Sequence, residues 1–326
     1  MSFMFCNSIK FSSFFSSENF ENNKERVSHF LNKTSVSLLK NGEDKKEFIP
    51  FYFISSDITL EFDNTVSLEE EGTQMSNNFN NSLSFSINSN SNIINSSNVL
   101  GIIEGSDPVL KNEIVILTAH YDHLGIIDGK VYNGADDDGT GTVALLEIAE
   151  AFQKAKNEGN GPKRTVLIMP VSGEEKGLLG SKYYTENPVF PLANTVVDLN
   201  IDMIGRMDKN HTDPNYVYVI GADKISQELH DINEATNKTY SNLELDYTFN
   251  KDSDPNRFYY RSDHYSFASK GIPVIFYFSG VHEDYHKHTD EVDKIMFDKV
   301  EKITKQVFFT AWEIANKPKR LEINTK

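Results

Sequence analysis

The stretch EIVILTAHYDH (residues 113–123) joins a short apolar run to two histidines and an aspartate. Its apolar part has no polar alternation, which is typical of a strand covered on both faces. Similar short apolar runs follow or precede it, and we expect each to form a buried strand. They are VLGIIEG (99–105), TVLIMPV (165–171), VVDLNIDM (196–203), YVYVI (216–220) and IPVIFYF (272–278).

Segments with helical spacing lie between or after several of these strands. In residues 139–156, an apolar face is predicted from Val143, Leu146, Ala149 and Phe152. Further helices are predicted over 224–238, 263–270 and 294–316. The alternation predicts an α/β fold with a mostly parallel mixed sheet flanked by helices. Ligands of such sheets bind beyond the carboxyl ends of the strands, which is where we expect the chemistry.

Composition narrows the classes of function. The 326 residues carry a formal net charge of −16, which argues against nucleic acid or an anionic membrane as a partner. The single cysteine, Cys6, excludes a disulfide framework and a thiolate zinc site. The sequence has no apolar run long enough for a transmembrane segment, and its first 20 residues lack the pattern of a secretory signal.

The chain divides near residue 98 into an N-terminal appendage (1–98) and a regular domain (99–326). Within the appendage we expect a short helix in 22–40 and a strand in 49–62. Ser and Asn dominate residues 76–98, which favours a linker. The alternation of Leu83, Phe85 and Ile87 with serine equally suits an edge strand, so both interpretations stay open.

Polar residues follow four of the predicted strands. His120 and Asp122 follow the strand that ends at 119, and Glu174 with Glu175 follows the strand 165–171. Asp202 lies near the end of 196–203, and His286 follows 272–278. Taken alone, each motif also has a structural explanation that involves no catalysis. A His–Asp pair can lie in a surface loop, and paired glutamates often begin exposed helices.

Three consecutive aspartates, 136–138, stand between glycines before the helix 139–156. One of them would suffice to cap the helix, and adjacent carboxylates repel unless a cation is near. Together with the strand-end residues they offer nitrogen and oxygen ligands without thiolate, which suits zinc. Five ligands, one able to bridge, fit two metal ions better than one. The set is His120, Asp137, Glu175, Asp202 and His286.

In their order, these motifs resemble peptidase family M28, a family of zinc-dependent peptidases that includes bacterial aminopeptidases. The resemblance covers residues 99–316, about two-thirds of the chain. The stretches that carry it are TAHYDHLG (118–125), NGADDDGTG (133–141), VSGEEKGLLGS (171–181), NIDMIGR (200–206), RSDHYSFASKGIPVIF (261–276) and DYHKHTDEVDKI (284–295).

The resemblance implies an aminopeptidase with two zinc ions that acts on the N-termini of peptides. Asp137 would bridge the ions, and His120, Glu175, Asp202 and His286 would be the other ligands. Zinc lowers the pKa of a bound water to about 7. The resemblance makes Glu174 the general acid and base, and it makes Asp122 a catalytic residue that supports His120. It places Asp263, His264 and Tyr285 near the substrate.

Other metallohydrolases such as carboxypeptidases stay open, and two further alternatives are also compatible with the sequence. One is a glutaminyl cyclase-like enzyme with a single zinc ion, and the other is a non-catalytic binding module on the same scaffold. Relatives of this kind are expected in the periplasm or outside the cell, although no signal is visible here. Aromatic residues near the expected site suit either an apolar substrate pocket or the core; they are Phe258, Tyr259, Tyr260 and Tyr285.

Overall fold

A computed structural model describes residues 94–325 and several short strands before them. A large mixed sheet is built from eight strands. We label them in chain order as β1 (Ser2–Phe5), β2 (Val99–Ile103), β3 (Ile114–His120), β4 (Thr165–Val171), β5 (Thr195–Ile201), β6 (Tyr216–Ile220), β7 (Glu244–Asp246) and β8 (Val274–Phe278). Their order across the sheet is β1-β2-β4-β3-β5-β8-β6-β7.

The centre of the sheet consists of four parallel strands. β3 pairs with β4 and β5, and β5 pairs with β8, all in parallel register. Every residue of β3, β4, β5 and β8 is buried, as expected from runs without polar alternation. Toward the edges, β1 pairs antiparallel with β2, β2 with β4, and β6 with β8. The predicted α/β class with a mostly parallel mixed sheet is confirmed.

Helices cover both faces of the sheet. We label them α1 (Gly139–Asn157), α2 (Leu179–Glu186), α3 (Ala222–Ile225), α4 (Gln227–Thr236), α5 (His264–Ala268) and α6 (Phe297–Asn316). On one face, Phe152 of α1 stacks on Trp312 of α6 at a centroid distance of 5.7 Å. On the other, Tyr184 of α2 and Phe267 of α5 belong to a second buried cluster with strand side chains.

The buried stripe of α1 differs from the predicted one. Val143 and Leu146 are 48% and 50% exposed, so placing them on the core face was wrong. The buried positions recur at three- and four-residue spacing, and the two misplaced side chains point away from that stripe. The stripe consists of Thr140, Gly141, Ala144, Leu145, Ile148, Ala149 and Phe152.

Several described elements were not predicted from the sequence. Among them are β1, α2, the three-residue β7, and a two-stranded hairpin formed by Gly125–Ile127 and Lys130–Tyr132. These elements are short, and the hairpin is largely exposed, so their hydrophobic patterns are weak. None of the described helices is long and apolar enough to cross a membrane.

Residues 10–95 form a separate compact unit. Within it Ser35–Leu39 pairs antiparallel with Lys46–Pro50, and Ile58–Thr59 pairs with Ser86–Ile87. The helix predicted in 22–40 is therefore wrong for Ser35–Leu39, whose alternating Ser, Val, Ser and Leu suit a strand. Residues 22–34, 51–57, Leu83 and Phe85 lie outside the described residues, and with them much of the predicted helix, strand and linker.

Candidate metal centre and catalytic site

The predicted ligands converge at the carboxyl edge of the parallel strands. His120 is the last residue of β3, and Asp202 directly follows β5. Glu175 lies in a short 3-10 turn after β4, and Asp137 precedes α1. His286 reaches the same place from the loop after β8. The topology thus gathers residues that are far apart in sequence, as the strand-end rule predicts.

Asp137 lies at the centre of this group. One oxygen, Oδ1, is 3.2 Å from Nε2 of His120, and the other, Oδ2, is 3.2 Å from Nε2 of His286. His120 Nε2 is also 3.7 Å from Asp202 Oδ1, and His286 Nε2 is 3.3 Å from Glu175 Oε2. Asp137 is therefore shared by two donor sets, which we name the His120 set (His120, Asp137, Asp202) and the His286 set (Asp137, Glu175, His286).

Several donor atoms of the two sets are buried without a hydrogen-bond partner among the described residues. They include His120 Nε2, Asp137 Oδ2 and Glu175 Oε1. Buried polar atoms are normally hydrogen-bonded, because leaving one unpaired costs about 1–3 kcal/mol. Nitrogen and carboxylate oxygen are donors that zinc accepts. The unpaired atoms fit a site that holds divalent ions of this kind.

The charges of the two sets shift their pKa values strongly. Burial would raise the pKa of Glu175, but the imidazoles of His123 and His286 outweigh it and bring it to about 2. Contact with Asp137 and Glu175 raises the pKa of His286 to about 10. Burial opposes a charge on His120, yet the carboxylates of Asp202 and Asp137 hold its pKa above the ordinary value. Without a metal ion, protons therefore balance the carboxylates, and metal binding would release them.

Glu174 stands beside these sets with a different environment. Burial raises its pKa to about 10, with Asp263 and Asp202 among the nearby carboxylates that add to the shift. Its side chain lines the cleft together with Asp137 and Asp202. A carboxyl group whose charge depends on its surroundings in this way is suited to proton transfer, particularly where a cation can lower its pKa.

Asp122 supports both His120 and Glu174, through different atoms. Its backbone oxygen lies 2.9 Å from His120 Nδ1, whereas its carboxylate is 3.9 Å from that nitrogen. The carboxylate oxygen Oδ1 instead accepts a hydrogen bond from the Glu174 backbone N–H at 3.2 Å. The main chain of Asp122 therefore orients the imidazole, and its side chain holds the turn that carries Glu174.

The three consecutive aspartates have three different environments. Asp138 caps α1 by accepting from the Gly141 N–H, and it also accepts from the backbone of His120 and Met203. Asp136 accepts from the Gly205 N–H and lies 3.2 Å from His282 Nε2. Asp138 is near His120 and Asp202, but its oxygens are already occupied by these N–H groups. Only Asp137 takes part in both donor sets.

A cleft of about 350 Å³, partly open to solvent, borders the two sets. Tyr285 lines it and stacks on His286 at 3.8 Å, as expected of a residue near the substrate. Of the other three candidate aromatics, the cleft lining includes only Phe258. The remaining lining residues are Asp137, Glu174, Asp202, Met203, Arg261, Phe276, Phe278, Val281 and His286.

Asp263 and His264 were expected near the substrate, but the structure does not bring them to the cleft. Both are fully buried at the start of α5, and the His264 ring stacks on Phe276 at 4.7 Å. Burial raises the pKa of Asp263 to about 7 and lowers that of His264 to about 3. Neither is among the residues that line the cleft.

Sequence reasoning missed several residues at this site. Ser262 donates a hydrogen bond to Asp202 Oδ2 at 2.7 Å, and the Asp290 carboxylate accepts the backbone N–H groups of Asp136 and Asp137. His123 lies 2.9 Å from Glu175 Oε1. Its position in the quoted TAHYDHLG stretch was a signal, but its approach to Glu175 depends on the path of the following loop.

Comparisons with known proteins agree with this geometry. The chain is 27% identical over 260 residues to a probable zinc metalloprotease of Pyrenophora teres f. teres (strain 0-1), covering 68% of this chain and 52% of that protein. It is 31% identical over 198 residues to leupeptin-inactivating enzyme 1 of Streptomyces exfoliatus, covering 60% and 38%. The chain spans about half, or less, of the length of these relatives.

The solved structures that resemble this chain include BSAP, a zinc aminopeptidase from Bacillus subtilis. The TM-score is 0.55 at 23% sequence identity, over 68% of this chain and 51% of that one, and this likeness shows the fold. The family model of peptidase family M28 matches residues 98–311, which is more than half of the chain. The protein described by this sequence therefore belongs to peptidase family M28.

Proposed function

We propose that this chain is a zinc-dependent aminopeptidase that holds two zinc ions, and that residues 99–326 carry the activity. The observation that supports the proposal most is the sharing of Asp137 by two donor sets beside the half-buried Glu174. The His120 set would hold one ion and the His286 set the other. When bound, the ions would supply an acidified water molecule and positive charge next to the scissile carbonyl.

Glu174 would move the proton in this reaction. Its carboxylate would accept a proton from the attacking water and pass it to the nitrogen of the leaving peptide. The hydrogen bond from its backbone N–H to Asp122 fixes the turn, so that the side chain stays in the cleft wall. Its partial burial makes the pKa of the carboxyl group sensitive to nearby charge.

The cleft supports a preference for a large apolar N-terminal residue. Met203, Phe258 and Phe276 contribute apolar surface to it, and Phe278 and Val281 extend this surface. The free amino group of a substrate would find acceptors in the carboxylates that line the same cleft. We expect leucyl and phenylalanyl substrates to be cleaved faster than glycyl or aspartyl substrates.

The test combines activity with metal content on one preparation. We expect hydrolysis of leucyl-p-nitroanilide, loss of activity with a chelator, recovery with Zn²⁺, and two zinc ions per chain. Glu174→Gln should lower kcat by about 10²–10⁴-fold while zinc content stays at the wild-type level. A Glu174→Gln protein with full zinc and undiminished turnover would refute the proposed mechanism.

Arg261 favours a second candidate, a carboxypeptidase. Its guanidinium is exposed at the cleft, donates to the Tyr285 hydroxyl at 3.2 Å, and could bind a free α-carboxylate. Peptides blocked at either end distinguish the two activities, because an aminopeptidase needs a free N-terminus and a carboxypeptidase needs a free C-terminus. In the same panel, one zinc ion per chain together with pyroglutamate from an N-terminal Gln peptide would indicate the glutaminyl cyclase-like alternative.

A further inference from the structure

His123 lies against the His286 set without belonging to the ligands expected from the sequence. Its side chain is 6% exposed, and its Nδ1 is 2.9 Å from Glu175 Oε1 and 3.8 Å from Asp137 Oδ2. The oxygen that it approaches is the one facing away from His286, since His286 Nε2 lies 3.3 Å from Glu175 Oε2. Nδ1 of His123 is thus close to one carboxylate oxygen of each acid in the set.

The short distance to Glu175 does not have hydrogen-bond geometry. Both His123 Nδ1 and Glu175 Oε1 are buried atoms that have no hydrogen-bond partner among the described residues, and His123 Nε2 shares this condition. A buried imidazole with unpaired nitrogens is destabilising by about 1–3 kcal/mol for each unpaired group. The edge-to-face contact of its ring with His286, at 5.9 Å, packs the ring but pairs neither nitrogen.

The backbone provides space for this imidazole. Gly134, at φ +62°, faces the ring, and a Cβ there would lie 2.5 Å from Cγ of His123 and 2.1 Å from the Asp137 carbonyl oxygen. Any other residue at this position would therefore force His123 or the Asp137 backbone to move. The glycine holds open the place in which the imidazole reaches Glu175 and Asp137.

We propose that Nδ1 of His123 is a metal ligand, and that the His286 set has four donors: His123, Asp137, Glu175 and His286. The atoms of His123, Asp137 and Glu175 lie close enough together to hold one ion. The inference rests on the proposed zinc centre, and it gives the His286 set one more donor than the His120 set. The set with four donors binds zinc more tightly than the His120 set, which has three.

The test counts imidazole ligands on the full-length chain loaded with two equivalents of Zn²⁺. Zinc X-ray absorption should show three imidazoles for two ions in the wild type, and two in His123→Phe, which keeps a ring of similar size. His288→Phe is the matched control, because His288 is exposed and its ring contacts Tyr132 at 6.0 Å. Chelator competition should show an affinity loss of about 100-fold at the tighter site of His123→Phe only.

Two imidazoles per two ions in the wild type would overturn the inference, and this measurement does not depend on the folding of any variant. Unchanged zinc affinity in a folded His123→Phe protein would overturn it as well. A wild-type protein that takes up no zinc would refute the proposed function together with this inference. Two bound ions with two imidazole ligands would leave the aminopeptidase proposal intact and remove only the role of His123.

Discussion

Two buried polar clusters in this molecule differ in how their atoms are paired. The proposed metal centre brings together His120, Asp137 and Glu175 with donor atoms that have no hydrogen-bond partner in the described part of the chain. The second group, which we call the tyrosine cluster, pairs its polar atoms internally. It consists of Asp208, His211, Tyr216, Tyr218 and Lys299.

Contacts within the tyrosine cluster are direct. Asp208 lies 2.9 Å from His211 Nδ1 and accepts from the Tyr218 hydroxyl at 2.7 Å. The Tyr216 hydroxyl donates to the Ser279 carbonyl, and Lys299 donates to the Tyr216 carbonyl, each at 2.6 Å. Burial with internal pairing produces structure, whereas burial with convergent unpaired donors produces a site for a ligand. Matched substitutions in the two clusters test this distinction.

The largest effect is expected from Asp137→Asn. The shared carboxylate contributes to both donor sets, so neutralising it should weaken zinc binding at both by at least about 100-fold. Without zinc, the variant should also lose some stability, because the Asp137 carboxylate contacts the imidazoles of His120 and His286. Isothermal titration with Zn²⁺ and urea denaturation in chelator measure the two quantities. A variant that still binds two ions at wild-type affinity would contradict the assignment.

Asp208→Asn should differ from Asp137→Asn by leaving zinc affinity unchanged. The amide would present a donor to groups that now donate to the carboxylate, including Tyr218 and the Asn210 N–H. We expect a loss of about 2–3 kcal/mol in the free energy of unfolding with zinc affinity unchanged. Urea denaturation measures the free energy of unfolding, and zinc titration of the same protein measures the affinity. A loss of zinc affinity without a loss of stability would contradict the distinction between the two clusters.

A pH-dependent difference is expected from Lys299→Met. Burial lowers the pKa of Lys299 to about 7 from its ordinary 10.5, so the folded state disfavours the charged amine. This penalty is complete below pH 7 and disappears as pH rises toward 10.5. Between pH 7 and pH 9 the wild type should gain about 1–2 kcal/mol relative to the Met variant. Unfolding curves of both proteins at each pH measure it, and parallel pH profiles would count against the burial argument.

The smallest effect is expected from Leu146→Gln. This residue lies on the solvent face of α1, half exposed, so the substitution should change the free energy of unfolding by no more than about 0.5 kcal/mol. Leu145→Gln is the matched control, because that side chain is completely buried and should be destabilising by several times more. If thermal denaturation showed equal losses of stability for the two variants, Leu146 would have to be assigned to the core.

The sequence predicted the central strands because their hydrophobic pattern is local, and the residues expected as ligands lie at or beyond the ends of these strands. β4 and β6 have the predicted bounds, since an uninterrupted apolar run is distinctive in a parallel sheet. The stripe of α1 was harder, because several apolar residues surround the helix and only packing selects among them. His123 could not be assigned, since its approach to Glu175 depends on the loop between β3 and Gly134.

The three aspartates before α1 show that residue type alone does not determine a task here. Chemically identical side chains serve as backbone anchor at Asp136, shared donor at Asp137 and helix cap at Asp138. The role of each aspartate is set by its position in the chain. Deleting one residue would keep two carboxylates but would shift them into their neighbours' positions. A mutational scan should find three distinct defects in three adjacent aspartates, and none should be rescued by the acid next to it.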